Sequence, residues 1–224
     1  MRVRTVAGAA LCVTLLGGCT NLFHSTAPLE QVYYLRAAPE VGTAIASPAD
    51  GPSLRVVRPM TAPGLDTPHI VLLQADHRMN FYTGSRWPAP VSEVVEALLL
   101  QTLRASGNWS SVGSSTSGFP SSYLLQCNVR RFEADYTAGG PAPTAEVVLD
   151  CLVGRREGRE VLTTFSVSGS AAAAANRMTD VVAAFEEASR TAVAAVSQQV
   201  LAAVRNDPGR AAQNGPKPDD SISR

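Results

Sequence analysis

Few side chains in this sequence could do chemistry. The histidines are His24, His69 and His77, and the last two flank a predicted hairpin with Asp66 and Asp76 close by in the chain. Imidazoles and carboxylates are the usual metal ligands and general bases near neutral pH. Their spacing here matches no ligand motif of the His-Glu-x-x-His kind. Asp66-Thr67-Pro68 and Asp76-His77 also sit where turns favour polar residues. No Gly-x-Ser-x-Gly nucleophile turn occurs, and Ser117-Gly118 and Ser168-Gly169-Ser170 read as loop residues. Gly139-Gly140 lacks the Lys-Ser/Thr that completes a phosphate loop. Phe81, Tyr82 and Trp87 form an aromatic group that reads as core or interface. The expectation is a chain that is not an enzyme and holds no metal or cofactor.

The cysteines say more. The chain opens Met1-Arg2-Val3-Arg4, runs apolar from Val6 to Leu16, and reaches Leu16-Gly17-Gly18-Cys19. That is a charged start, a short apolar stretch and a small-residue cleavage site. The apolar stretch falls short of the ~20 residues a helix needs to span a bilayer. The order branched apolar, small, small, cysteine resembles the lipobox of bacterial lipoproteins. The resemblance implies cleavage after Gly18, a diacylglyceryl thioether on Cys19, and a further acyl chain, such as palmitate, on the new amino terminus. Two or more chains hold a protein stably, at ~0.8 kcal/mol per buried methylene. Thr20 stands where inner-membrane lipoproteins often carry Asp, which favours the outer membrane, with the domain facing the periplasm. Cys12 leaves with the signal, so Cys127 and Cys151 remain in an oxidising compartment. Both lie on strand-like segments about a turn at Gly139-Gly140, and a bulge at Arg130-Arg131 would adjust the register by one. They are a candidate disulfide; two buried reduced thiols acting as small hydrophobes are the alternative.

Composition bounds the partners. Lys+Arg and Asp+Glu are both 19, and Lys217 is the only lysine, so no bulk charge draws nucleic acid. Residues 1–18 read as signal, 19–30 as a tether, 31–206 as one domain and 207–224, rich in Pro, Gly and charge, as a disordered tail.

The elements of that domain follow from periodicity. Val32–Leu35, Leu54–Val57, His69–Leu73 and Met79–Tyr82 read as strands, with Thr61–Pro68 a turn-rich connection. Val91, Val94, Val95, Leu98, Leu99 and Leu103 recur at helical spacing, ending at Gly107 as a C′ glycine. Ser110–Ser117 reads as a weak strand or loop. Tyr123, Leu125, Cys127 and Val129 alternate, then Phe132, Ala134 and Tyr136 continue on the other parity, which is the argument for the bulge. Val147–Val153 and Val161–Val167 alternate again, completing an antiparallel meander. A long helix follows from Thr179, a candidate N-cap, with Val181, Phe185, Ala188, Ala192, Val196, Val200 and Val204 on one stripe and many alanines for close helix–sheet packing. The pattern predicts an α+β fold: an antiparallel or mixed sheet with two helices on one face.

Several segments, in this order, resemble the ABC-type transport auxiliary lipoproteins, the paraquat-inducible protein C-like group. They are Tyr33-Tyr34-Leu35, Pro63-Gly64-Leu65-Asp66-Thr67-Pro68-His69-Ile70, Phe81-Tyr82-Thr83-Gly84-Ser85-Arg86-Trp87, Ala105-Ser106-Gly107-Asn108-Trp109, Arg131–Tyr136 and Ala183-Ala184-Phe185. The resemblance spans about residues 31–204. It implies a periplasm-facing partner of an MCE-type ABC transporter, which moves phospholipids or other hydrophobic molecules between inner and outer membranes. The MCE subunit, permease and ATPase would be separate chains, and the lipoprotein would form a homo-oligomer, such as a ring, at the far end of an MCE tunnel. The alternative function is a structural or assembly lipoprotein of the outer membrane that binds another envelope protein.

Overall fold

A computed structural model of the chain describes residues 29–36 and 48–209. The signal, Cys19, His24, nearly all of the tether and residues 210–224 lie outside the described residues. The elements are β1 Gln31–Val32, β2 Ser53–Val56, β3 Met60–Thr61, β4 His69–Leu73, β5 Met79–Arg86, α1 Val91–Ala105, β6 Ser111–Gly113, β7 Tyr123–Asp135, β8 Thr144–Arg155, β9 Val161–Ala172 and α2 Met178–Arg205. They make one nine-stranded mixed sheet with both helices packed into one core on the same face. The fold is α+β.

The central strand is β7. On one side it pairs antiparallel with β8, which pairs antiparallel with β9. On the other side β2, β3 and β4 pair with it in turn, all parallel. The chain from residue 53 to 73 thus runs along one edge of β7, leaving it only at the loop between β3 and β4. Met60–Thr61 is therefore a strand as well as the start of the expected connection. β4 and β5 form the expected hairpin, turning at His77, whose φ is +62°.

Tyr123, Leu125, Cys127 and Val129 face the helices, and a register shift between Val129 and Arg131 passes the inward role to Phe132 and Ala134. Arg130 is the extra residue. On the near side of this bulge Cys127 and Cys151 stand directly opposite one another, Cα atoms 4.1 Å apart, joined by a disulfide. The bridge spans 24 residues of sequence. A loop of that size stabilises by about 3 kcal/mol through restriction of the unfolded chain. Reduction should lower the free energy of urea unfolding by about that amount. Superimposable curves with and without reductant would contradict the bridge's contribution.

Several boundaries differ from the sequence expectation, each for a tertiary reason. β1 is shorter than Val32–Leu35 because β5 offers it only a brief parallel pairing, prolonged by Tyr33 N–H donating to the Arg86 carbonyl at 2.9 Å. The helix α2 starts at Met178 after Arg177, so Thr179 lies inside it and caps nothing; the first turn is held instead by Arg177 paired with Asp180 at 2.8 Å. Ser168-Gly169-Ser170 is not a loop but the interior of β9. Local propensity disfavours that run as strand, and the pairing with β8 together with packing under α2 overrides it. Asp207, expected to open the tail, is buried, at 4% exposure; residues 210–224 of that expected tail lie outside the described residues.

Candidate interaction surfaces

The residues that could do chemistry are dispersed. His69 lies on the helix-free face of β4, its ring 5.4 Å from that of Phe81. His77 is at the tip of the β4–β5 turn, where Asp76 is engaged by Arg78 at 2.6 Å. Asp66 accepts a hydrogen bond from the Ser92 backbone N–H at 3.4 Å, in the first turn of α1. It serves as a remote cap for a helix whose own N-cap position is Pro90, without a capping side chain. Among the described residues no group of three or more His, Cys, Asp or Glu is placed to hold a metal ion.

The aromatic group splits. Trp87 is fully buried, edge-on to Phe132 at 5.9 Å and to Phe185 at 5.2 Å. Tyr82 faces the core and shares a 2.8 Å hydrogen bond with Tyr136; burial, then this bond, push its phenol well above its ordinary pKa. Phe81 is half exposed on the opposite face. Successive strand residues alternate faces, which separates Phe81 from Tyr82. An irregularity in β5, with Gly84 at φ +68°, then turns Trp87 inward.

The helix-free face of β7–β9 is polar. Glu133 and Glu146 oppose each other in register, a repulsive pair on their own. Arg131 bridges it, reaching Glu133 at 2.7 Å, Asp135 at 2.6 Å and Glu146 at 3.7 Å. Ser170 donates to Glu146 at 2.6 Å. One guanidinium against three carboxylates leaves this network net negative, with Arg131 offsetting only part of the repulsion.

The other open feature is the outer edge of β9. This strand has 12 residues, Val161 to Ala172, none charged and none proline, and its one strand neighbour among the described residues is β8. Ala173 N–H donates to the Pro143 carbonyl. Antiparallel alternation then assigns the odd-numbered residues of β9 to the β8 ladder and turns the N–H groups of Thr164, Ser166 and Ser168 outward. Long uncharged edges are what soluble proteins usually blunt, so one left open is a docking template.

The profile of the ABC-type transport auxiliary lipoprotein component family matches residues 33–200. The chain belongs to that family. The matched span runs from just after β1 to within α2, so the family unit is this sheet with its two helices. A crystal structure of a Xanthomonas campestris protein of the DUF330 family is similar at TM-score 0.65 and 22% identity, over 83% of this chain and 98% of that one. A second, of an uncharacterised protein, is similar at TM-score 0.58 and 11% identity, over 77% and 99%. At these identities the likeness is one of fold. Among curated proteins none matches the chain. Family membership associates this auxiliary lipoprotein with ABC transport systems and with the cell envelope.

A contact not foreseen from the sequence ties the segment just after α2 to this unit. Past α2, Asp207 accepts hydrogen bonds from Tyr123 Oη at 2.8 Å and Arg155 Nε at 3.2 Å, and from the Gly209 N–H at 2.9 Å. A second guanidinium nitrogen of Arg155 also pairs with it. The Arg155 bond holds the Asp207 carboxyl below its ordinary 3.8, against burial, which raises it. A depressed carboxylate pKa stabilises the fold above the unfolded value and is lost as pH falls through the folded one. Asp207→Asn should therefore melt below the wild type at neutral pH, and the gap should narrow at a pH well below the ordinary 3.8. An equal gap in melting temperature at both pH values would show that the carboxylate charge contributes nothing.

Proposed function

We propose that this auxiliary lipoprotein is a non-catalytic, lipid-anchored component of an MCE-type ABC transport system, moving phospholipid or another hydrophobic molecule between the inner and outer membranes. Membership of the auxiliary family carries this reading. The Leu16-Gly17-Gly18-Cys19 segment ahead of the domain supports acylation of Cys19, and Thr20 supports outer-membrane placement facing the periplasm. The MCE subunit, the permease and the ATPase are separate chains in this proposal.

The test is recovery of partners from cross-linked cells. The tagged lipoprotein should bring down an MCE-domain protein together with its permease and ATPase. Recovery of outer-membrane assembly proteins without any MCE protein would replace this reading with that of an assembly lipoprotein.

The open edge of β9 supports self-association of the domain. Antiparallel pairing of the strand with a second copy opposes no like charges, since β9 carries none. Ser166→Pro removes an outward N–H and no bond of the β8 ladder. It should leave the fold intact and lower the mass measured by light scattering to that of a monomer. An unchanged mass would move the self-contact elsewhere.

A further inference from the structure

The exposed apolar side chains of the described residues are unevenly spread. Val32, Tyr34, Met79 and Phe81 share the helix-free face of the β1–β5–β4 corner. The register fixes this. Val32, Arg86 and His69 lie in one row across the three strands, and Phe81 stacks against His69. Phe81 in turn pairs with Val71, which is buried yet outside the main core, as is Leu65 in the loop beneath Met79. Tyr33 and Leu35 pack toward the helices, so Tyr34 between them points away, 70% exposed.

We propose that this corner is a membrane-contact surface, with Tyr34 and Phe81 seated at headgroup depth in the bilayer that holds the lipid anchor. The proposal rests on acylation of Cys19, part of the function proposed above. The chain enters the domain at Gln31, at the foot of this patch, and Gln31 follows Cys19 by a segment that stretches at most ~40 Å at ~3.3–3.6 Å per residue. Four partly exposed side chains offer a few hundred Å² at most, short of the ~800 Å² per partner that a stable protein interface needs. A short tether changes that requirement for a bilayer. It holds the patch at an effective concentration on the order of millimolar, so a weak contact is populated. Tyrosine, with an apolar body and a polar tip, suits the water–lipid boundary.

The experiment uses the full chain purified in its lipidated form and placed on vesicles of phosphatidylethanolamine and phosphatidylglycerol with brominated acyl chains. Tryptophan is introduced as Phe81→Trp, Tyr34→Trp or, as a control, Phe119→Trp. Phe119 is exposed near the β2–β6 end of the sheet. Trp87 and Trp109 are buried and supply a constant background. The expected result is loss of the added emission by bromine quenching in the first two variants and none in the third. A protein that floats with the vesicles while Phe81→Trp and Tyr34→Trp stay unquenched, or while all three quench alike, overturns the contact surface and leaves the anchor standing. A wild-type chain that fails to float overturns the anchor, and the proposal with it. Shielding of the two positions only on addition of a transporter subunit would mark a protein-docking face and overturn the membrane assignment.

Discussion

Gly169→Ala should destabilise the domain by about 3 kcal/mol or more, a drop in melting temperature on the order of 6–12 °C for a chain of this size. A Cβ at residue 169 would lie 1.9 Å from the Ala188 carbonyl oxygen, 2.8 Å from its carbon and 3.1 Å from the Ala192 nitrogen. These are main-chain atoms of α2, so no side-chain rotation relieves the clash. The helix must move away from β9, opening the contacts of Ala188 and Ala192, both fully buried. That places the cost at the top of the usual overpacking range. Ser168→Ala, one residue earlier on the exposed face, should change stability by less than ~0.5 kcal/mol. Paired denaturation curves of the two variants decide the matter. A Gly169→Ala protein as stable as Ser168→Ala would mean that α2 does not sit on β9 at this distance.

The second large effect belongs to Phe185→Ala, expected to cost about 3–5 kcal/mol. Phe185 is fully buried on α2, and its ring centroid lies 5.2 Å from both Trp87 and Phe132. These three rings join the end of β5, the segment after the β7 bulge, and the long helix. Truncation leaves a void bordered by two rigid rings on separate elements, which cannot collapse together, so the cavity term is retained. Phe185→Leu fills most of that space and should cost less than half as much. Calorimetry on both variants tests this. Near-equal losses would show that the aromatic contacts, rather than the filled volume, carry the stabilisation.

Much of the fold is legible in the sequence. Alternation along β7, β8 and β9, the change of parity at Arg130-Arg131, and the stripes of α1 and α2 are properties of short windows, because strands repeat every two residues and helices every 3.6. The facing positions of Cys127 and Cys151 were legible too, since a hairpin turn at Gly139-Gly140 and one bulge determine a register by counting. The lipobox at Cys19 is likewise a local order of residues, and its acylation remains the subject of the proposal.

Other features depend on residues that no window contains. The parallel run of β2, β3 and β4 along β7 joins segments some 60 to 70 residues apart, and hydrophobic periodicity says which face is buried without naming the neighbour. Gly169 looked like a loop residue because glycine is read locally as a breaker; the approach of the Ala188 main chain is what requires it. Asp207 looked like the start of a polar tail, and only the placement of Tyr123 and Arg155 beside the end of α2 makes it a buried partner. Phe81, Tyr82 and Trp87 looked like one aromatic group until strand alternation and the irregularity at Gly84 divided them between two faces. The sequence alone determined most of the longer elements, their inward faces and the facing positions of Cys127 and Cys151, because these follow from local periodicity. Strand neighbours, backbone-to-backbone contacts and the apolar corner of β1, β5 and β4 were decided only by the tertiary structure, because each is made by groups that meet in space and are distant in the chain.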